Sequence, residues 1–183
     1  MEDCKIIYAS NLDEHEMTRH KLRTMVAEGK LSRITHGIYA ESSKKVNQFW
    51  LMGERYKNGV YSHNTALYFY GIAEKKPIIL DMTFPSNNRV KNEFLKVHYI
   101  KKENHKLGLI KMKLEDGSVI QIYNLERTIC DIIRDRNKFE QNVLNNALKE
   151  YVKRKDKDLK LLYEYAEVFN IEKILKRYIE ILI

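Results

Sequence analysis

The sequence has little cysteine, proline or glycine, and it contains no long run of apolar residues. Among its 183 residues are 2 Cys, 2 Pro and 7 Gly. These counts exclude a disulfide-rich scaffold, a collagen-like repeat and a low-complexity disordered chain. Neither a signal-peptide core nor the roughly 18 apolar residues of a membrane-spanning helix occur in sequence. We therefore expect a soluble, cytoplasmic protein, long enough for one medium domain or two small ones.

Neither cysteine stands in a metal or redox spacing. Cys4 and Cys130 are far apart in the sequence, and no C-x-x-C pair is present. In a cytosolic protein this pattern predicts two free thiols rather than a disulfide. His98 and His105 likewise lack a zinc-type spacing with either cysteine.

Positive charge exceeds negative charge in the chain as a whole. The 33 Lys and Arg against 25 Asp and Glu give a formal net charge of +8. Such an excess favours polyanionic partners, namely DNA, RNA or acidic proteins. Residues 1–40 contain six residues of each sign, but residues 18–36 contain five basic and one acidic residue. Residues 41–183 carry the whole excess, with 27 basic and 19 acidic residues.

The N-terminal residues read as a small unit of their own. A short helix is predicted over 10–16, followed by a turn and a second helix with Thr18 as its N-cap. Leu22 and Val26 would lie on its apolar face, and Gly29 would end it. Residues 31–39 indicate a two-stranded wing that turns at His36. This order is typical of a winged helix-turn-helix, which we assign to residues 1–42.

Residues 43–183 predict a second domain of the α+β class. A helix over 46–57 and a short helix after Ser62 precede strand-like segments, with a hairpin signal at Asp116-Gly117. After Asn124 the pattern is helical to the end. Strands followed by helices favour a small, mainly antiparallel sheet with C-terminal helices.

The predicted DNA-binding residues lie on the second helix and the wing. A recognition helix contacts base edges mainly from its N-terminal residues, and arginine can hold guanine through two hydrogen bonds. The wing would reach the DNA backbone or the minor groove. The alternative is a solvated basic helix face. The residues are Thr18, Arg19, His20, Lys21 and Arg23 on the helix, and Arg33, Thr35 and His36 on the wing.

A second basic run occupies residues 149–160, with six basic and three acidic residues. Such a run is usually a solvated helix junction. The alternative is an electropositive patch that touches nucleic acid or the substrate of a partner. The candidate patch residues are Lys149, Lys153, Arg154 and Lys155.

No catalytic residue or metal ligand is expected. Ser62 and His63 are adjacent, but a catalytic triad needs proximity in space, so we expect Ser62 to cap a helix by accepting from the Thr65 N–H. Carboxylates after Asn124 alternate with arginines on one helix face, which predicts weak ion pairs rather than a metal cage. These carboxylates are Glu126, Asp131 and Asp135, beside Arg127 and Arg134.

Three ordered motifs together resemble the AbiEi family, the antitoxins of type IV abortive-infection toxin–antitoxin systems. They read EGKLSRITHGIY at 28–39, YSHNTALYFYG at 61–71 and YNLERTICDIIR at 123–134. The sequence departs from the family pattern at Glu16, where glycine is common before the second helix. Little chain also precedes Ile6, which leaves the first helix of the winged fold short or missing.

The resemblance implies a phage-defence antitoxin that also represses transcription of its own operon. The winged helix would bind inverted repeats in promoter DNA. The C-terminal domain would neutralise a nucleotidyltransferase-like toxin, with or without direct contact. The resemblance implies no enzymatic activity and no cofactor, and the lack of a long apolar run predicts no membrane partner. Two alternatives stay open: a metal-dependent nuclease that uses Asp81 or Asp131, and a protein-binding adaptor that does not bind DNA.

Overall fold

The computed structural model describes residues 6–41 and 46–182. Within these ranges seven α-helices and eight strands in two sheets form an α+β protein, which confirms the predicted class. Cys4 and the predicted linker at residues 42–45 lie outside the described residues. No helix in the described part of the chain is both long and apolar enough to cross a membrane.

The N-terminal sheet is antiparallel and three-stranded, with the order β1-β3-β2. A single 3-10 turn at Asp13–His15 stands where the sequence predicted a short helix, so that prediction overstates the segment. Residues 31–41, which include the segment predicted to form the wing, form an antiparallel hairpin of β2 and β3. The elements are β1 (Ile6–Tyr8), α1 (Arg19–Ala27), β2 (Leu31–Thr35), β3 (Ile38–Glu41) and α2 (Gln48–Arg55).

Helix α1 begins and ends where the sequence predicted. The Thr18 side chain accepts a hydrogen bond from the Lys21 backbone N–H at 3.1 Å, as an N-cap does. At the other end Gly29 has a positive φ of 72°, which glycine adopts without steric cost. One face of α1 packs on the sheet: Leu22 is buried in a core with Ile7 and other apolar side chains, namely Leu12, Met17 and Leu31.

The second sheet has five strands in the order β6-β5-β4-β8-β7. It is mixed rather than mainly antiparallel as predicted, because β5 pairs parallel with β6 and β4 pairs parallel with β8, while β4 and β5 are antiparallel. Short helix α3 (His63–Phe69) follows β4. The strands are β4 (Val60–Tyr61), β5 (Leu80–Pro85), β6 (Leu95–Ile100), β7 (Leu109–Lys113) and β8 (Val119–Tyr123).

Four C-terminal helices follow, and the first of them is the central element of the larger core. Nine of the ten residues of α4 are buried, including the three charged side chains Glu126, Arg127 and Asp131. Its apolar residues pack against α3 and the later helices, with Ile129, Cys130 and Ile133 fully enclosed. The helices are α4 (Leu125–Arg134), α5 (Gln141–Lys153), α6 (Leu159–Val168) and α7 (Glu172–Leu182).

The chain divides into two compact units. The first comprises Met1–Tyr56 with Lys113–Val119, and the second comprises Lys57–Met112 with Ile120–Ile183. Helix α2 therefore groups with the N-terminal sheet, whereas the sequence placed a boundary between residues 42 and 43. The reason is packing: Trp50 of α2 makes an edge-on ring contact with Tyr8 of β1, with centroids 6.4 Å apart.

Candidate functional sites

Helix α1 presents its basic side chains to solvent. Leu22 faces the core, whereas Arg19, His20, Lys21 and Arg23 are exposed, as is the N-cap Thr18. Arg19 and Arg23 are four residues apart and so share a face of the helix. The first turn of α1 contains no acidic residue. The structure therefore brings the five predicted helix residues together at one exposed end.

The hairpin adds basic groups to the same unit. Arg33 on β2 and His36 at the turn are exposed, and the Arg33 guanidinium donates to His36 Nδ1 at 2.9 Å. Thr35 is the last residue of β2. Because α1 packs on β2 through Leu22 and Leu31, the helix and hairpin form one body. Every residue predicted to bind DNA thus lies within this unit.

The basic run in the larger unit is partly compensated by neighbouring carboxylates. Lys153 binds Glu150 at 2.7 Å, and Arg154 holds Asp156 through two contacts of 2.8 Å. Arg154 also donates to the Tyr70 carbonyl at 3.0 Å, which ties the end of α5 to the end of α3. Lys149, Lys153 and Lys155 are exposed.

Ser62 is the N-cap residue of α3, but the predicted capping bond is absent. Its side chain makes no hydrogen bond to the α3 backbone. Instead its Oγ lies 2.9 Å from His63 Nδ1 and accepts a hydrogen bond from Thr83 Oγ1 at 2.8 Å. Thr65 accepts from the Asp81 backbone N–H at 2.8 Å. The capping prediction was wrong because β5 supplies competing partners that the local sequence does not show.

Four side chains form a group that we call the histidine–aspartate cluster: His63, His98 and Asp81, which are buried, and Asp135, which is partly buried. His98 on β6 lies between two carboxylates: its Nε2 is 2.6 Å from Asp81 Oδ1, and its Nδ1 is 3.5 Å from Asp135 Oδ2. His63 Nε2 is 3.2 Å from the same Asp135 oxygen. The imidazole rings are stacked, with centroids 3.6 Å apart. The cluster thus joins β5, β6 and α3 to the end of α4.

The charges in the cluster follow from these contacts. Burial lowers the pKa of His63, which is therefore neutral. Burial also acts to lower the pKa of His98, but its hydrogen bonds to Asp135 and Asp81 outweigh this effect and raise the pKa above its usual 6.5. Burial acts to raise the pKa of Asp135, but hydrogen bonds from His63, His98 and Lys138 lower it far below its usual value. The contacts of His98 with Asp81 and Asp135 therefore favour its protonated form.

The backbone at His63 supports a special role for this position. Its φ is 47°, in the left-handed region that a buried residue with a side chain rarely adopts. Residues held in this conformation cost about 1–3 kcal/mol and tend to occur at functional sites. The ring is fully buried, with His98 stacked on it and the Phe139 ring 5.5 Å away.

The ion pairs predicted on α4 are present, but they are buried rather than solvated. Arg127 Nε donates to Asp131 Oδ2 at 3.1 Å, and its Nη1 donates to two backbone carbonyls, of Asn104 and Leu107. Arg134 Nη1 lies 2.8 Å from Asp131 Oδ1 as an ion pair without hydrogen-bond geometry. The Arg127 guanidinium also stacks over Tyr123, with Cζ 4.1 Å from the ring centroid.

Sequence reasoning missed the histidine–aspartate cluster. Asp135 follows His63 by 72 residues, so no spacing rule connects them. His98 was set aside because no cysteine stands at a zinc-type spacing, and Asp135 because arginines surround it on α4. The available signal was weaker: His63 lies in one of the three motifs, and Asp135 directly follows another.

Comparison with models of known protein families gave no match, and comparison with curated proteins gave no significant match.

Proposed function

We propose that this protein is an AbiEi-like antitoxin: a cytoplasmic, non-enzymatic repressor that binds promoter DNA through its N-terminal unit. The observation that carries the proposal is the exposed basic start of α1. A helix whose far side is buried in a core and whose first turns carry three cationic side chains suits the major groove. The cations are Arg19, Lys21 and Arg23.

The order of elements in the unit supports this proposal. Strand β1 is followed by the 3-10 turn, helix α1 and the hairpin of β2 and β3, with β3 between the other two strands. Glu16, which precedes α1, has a left-handed backbone with φ of 48°. This conformation is one that glycine adopts freely, which agrees with the glycine that is common at this position in the family pattern.

The two carboxylates named for the nuclease alternative are both engaged by other side chains. Asp81 is engaged by His98, and Asp131 is engaged by Arg127 and Arg134. We propose instead that the larger unit neutralises a nucleotidyltransferase-like toxin.

The DNA proposal is tested with the double variant Arg19→Ala/Arg23→Ala. It should lose retention of its own promoter DNA, because two cationic groups no longer contact the duplex. The slope of log K against log salt should become shallower by about 2, or roughly 1 per lost phosphate contact. Fluorescence anisotropy with promoter and scrambled duplexes at several salt concentrations measures both effects.

A matched control removes the same charge at the same spacing elsewhere. Lys173 and Arg177 are exposed on α7 and are four residues apart. Lys173→Ala/Arg177→Ala should retain promoter DNA and keep the parent's salt slope, because the slope counts only cations that contact phosphate. Promoter binding by Arg19→Ala/Arg23→Ala at the parent's affinity would show that α1 is not the recognition helix. Absence of salt-sensitive binding by the parent protein would favour the adaptor alternative.

The antitoxin proposal has a separate readout. Co-expression with the proposed nucleotidyltransferase-like toxin should allow growth, and Arg19→Ala/Arg23→Ala should protect equally well. Failure of the parent protein to restore growth would contradict neutralisation without affecting the DNA result.

A further inference from the structure

We propose that the histidine–aspartate cluster binds one divalent transition-metal ion, best Zn²⁺, through His63 Nε2, His98 Nδ1 and Asp135 Oδ2. These donors come from α3, β6 and the end of α4, and they all lie within 4.8 Å of one another. Two imidazoles and one carboxylate are a ligand set that zinc accepts, with water completing the coordination. The inference concerns the larger unit and is independent of DNA binding.

The distances to the shared carboxylate already suit an ion. His63 Nε2 and His98 Nδ1 lie 3.2 and 3.5 Å from Asp135 Oδ2. Bonds of about 2.0–2.1 Å in a tetrahedral arrangement separate neighbouring donors by about 3.4 Å. The distances from His63 Nε2 and from His98 Nδ1 to Asp135 Oδ2 therefore need to change little when an ion is bound between these atoms.

In each histidine, the ring nitrogen that would not bind the ion has a hydrogen-bond partner, as is usual for histidine ligands of metals. His98 Nε2 meets Asp81 Oδ1 at 2.6 Å, which forms a carboxylate–histidine pair directed at the ion. His63 Nδ1 meets Ser62 Oγ at 2.9 Å, and Thr83 holds that hydroxyl in turn. The carboxylates of Asp81 and Asp135 together balance the two positive charges of the ion.

Binding requires the stacked rings to separate. Two imidazoles on one tetrahedral ion have centroids about 5 Å apart, whereas those of His63 and His98 are 3.6 Å apart. Phe139 lies on His63 with centroids 5.5 Å apart and is only partly buried, just after a 3-10 turn. Movement of Phe139 provides the space, so ion binding should alter the ring-current shifts of both histidines.

The test uses the full chain freed of metal with a chelator. Zn²⁺ is titrated by calorimetry and in competition with a chromophoric chelator, and Co²⁺ is added as a spectroscopic probe. We expect one ion per chain, a higher melting temperature and the visible absorption bands of tetrahedral Co²⁺. No ion bound by the folded parent protein would overturn the proposal and leave a hydrogen-bonded cluster only.

Variants then locate the ion. His98→Gln and Asp135→Asn should abolish binding, whereas the matched control His105→Gln should retain it. His105 is also a buried histidine, but it donates to the Thr83 carbonyl and stands outside the cluster. Asp81→Asn leaves all three ligands in place and should weaken the affinity by about 10-fold to 100-fold. Binding that survives His98→Gln and Asp135→Asn would place the ion elsewhere.

A measurement on the parent protein covers the case in which a cluster variant does not fold. In ¹⁵N spectra of the histidine rings, Zn²⁺ should shift His63 Nε2 and His98 Nδ1 and leave the nitrogens of His105 unchanged. Shifts confined to other histidines would contradict the assignment.

Discussion

The Arg127 side chain is fully buried, and it makes three kinds of contact. It pairs with Asp131, donates to the backbone before β7, and stacks over two aromatic rings, Tyr123 and Phe169. Loss of one partner of a buried ion pair leaves the other charge uncompensated, which is far more costly than loss of a surface pair.

We predict that Arg127→Met lowers the free energy of unfolding by about 3–5 kcal/mol. Asp131 loses its hydrogen-bonded cation and keeps only the ion pair with Arg134, and the Asn104 and Leu107 carbonyls lose their donor. The control Lys153→Met removes a cation from the exposed pair with Glu150 and should change stability by less than about 1 kcal/mol. Urea denaturation followed by circular dichroism compares the two. Equal effects would show that the Arg127 pair contributes no more than a surface pair.

Cys130 illustrates how burial alters the chemistry of a single residue. Its thiol donates to the Leu162 carbonyl at 3.6 Å inside the larger core. Burial, and then the nearby Asp131 charge, raise its pKa from 9.0 to about 12. The native thiol is therefore protonated and shielded from reagents.

We predict that in a Cys4→Ser background the remaining thiol reacts with a disulfide reagent only after unfolding. The unfolded thiol ionises near pH 9, whereas the native thiol stays protonated to about pH 12. The contribution of this thiol to stability is therefore complete below pH 9 and is lost as the pH rises from 9 to about 12. Rapid labelling of the native variant at pH 8 would contradict the assignment of Cys130 to the core.

At the scale of elements, the start of β7 is fixed against α4 by a close backbone approach. Gly108 has a φ of +73°, and a Cβ there would lie 2.6 Å from Arg127 Cβ and 2.9 Å from Asn124 Oδ1. Gly71 also has a positive φ, of +70°, but nothing lies within 4 Å of its added Cβ. Alanine at Gly71 therefore introduces backbone strain alone, whereas alanine at Gly108 introduces both backbone strain and a steric clash.

We predict that Gly71→Ala costs only the strain of a left-handed alanine, about 1–2 kcal/mol. Gly108→Ala should cost clearly more, because the α4 N-cap Asn124 and the buried Arg127 must both move. Thermal unfolding of the two variants measures the difference, and equal melting temperatures would mean that β7 and α4 adjust without cost.

At the scale of the whole molecule, the excess charge and the residues proposed to contact DNA are in different units. Residues 1–40 sum to zero, and the remainder carries the +8. Charge outside a binding surface can accelerate the approach of a polyanion without specifying its sequence.

We predict that Lys149→Gln/Lys153→Gln/Lys155→Gln slows association with promoter DNA several-fold at low salt and leaves the dissociation rate unchanged. Stopped-flow measurements at low and high ionic strength separate the two rates, since screening removes only the long-range effect. A faster dissociation rate would instead show that these lysines contact the DNA directly.

The helices were largely predictable, because a helix start or stop depends on neighbouring residues. Helix α1 begins after Thr18 and ends before Gly29, as predicted. At the start of α4, Asn124 accepts a hydrogen bond from the Arg127 N–H. The parallel pairings of β5 with β6 and of β4 with β8 were not predictable in this way. Their partners are distant in sequence, and no turn signal joins them.

The candidate DNA-binding residues were found from sequence because they lie within one short segment of uneven charge. The histidine–aspartate cluster was not, because its members come from four elements that meet only after the sheet and α4 have packed. Sequence by itself determined the α+β class and the ends of α1, since these depend on near-neighbour hydrogen bonding and periodicity. Only the tertiary structure decided which polar groups are buried together, because burial and pairing depend on long-range packing that no local pattern contains.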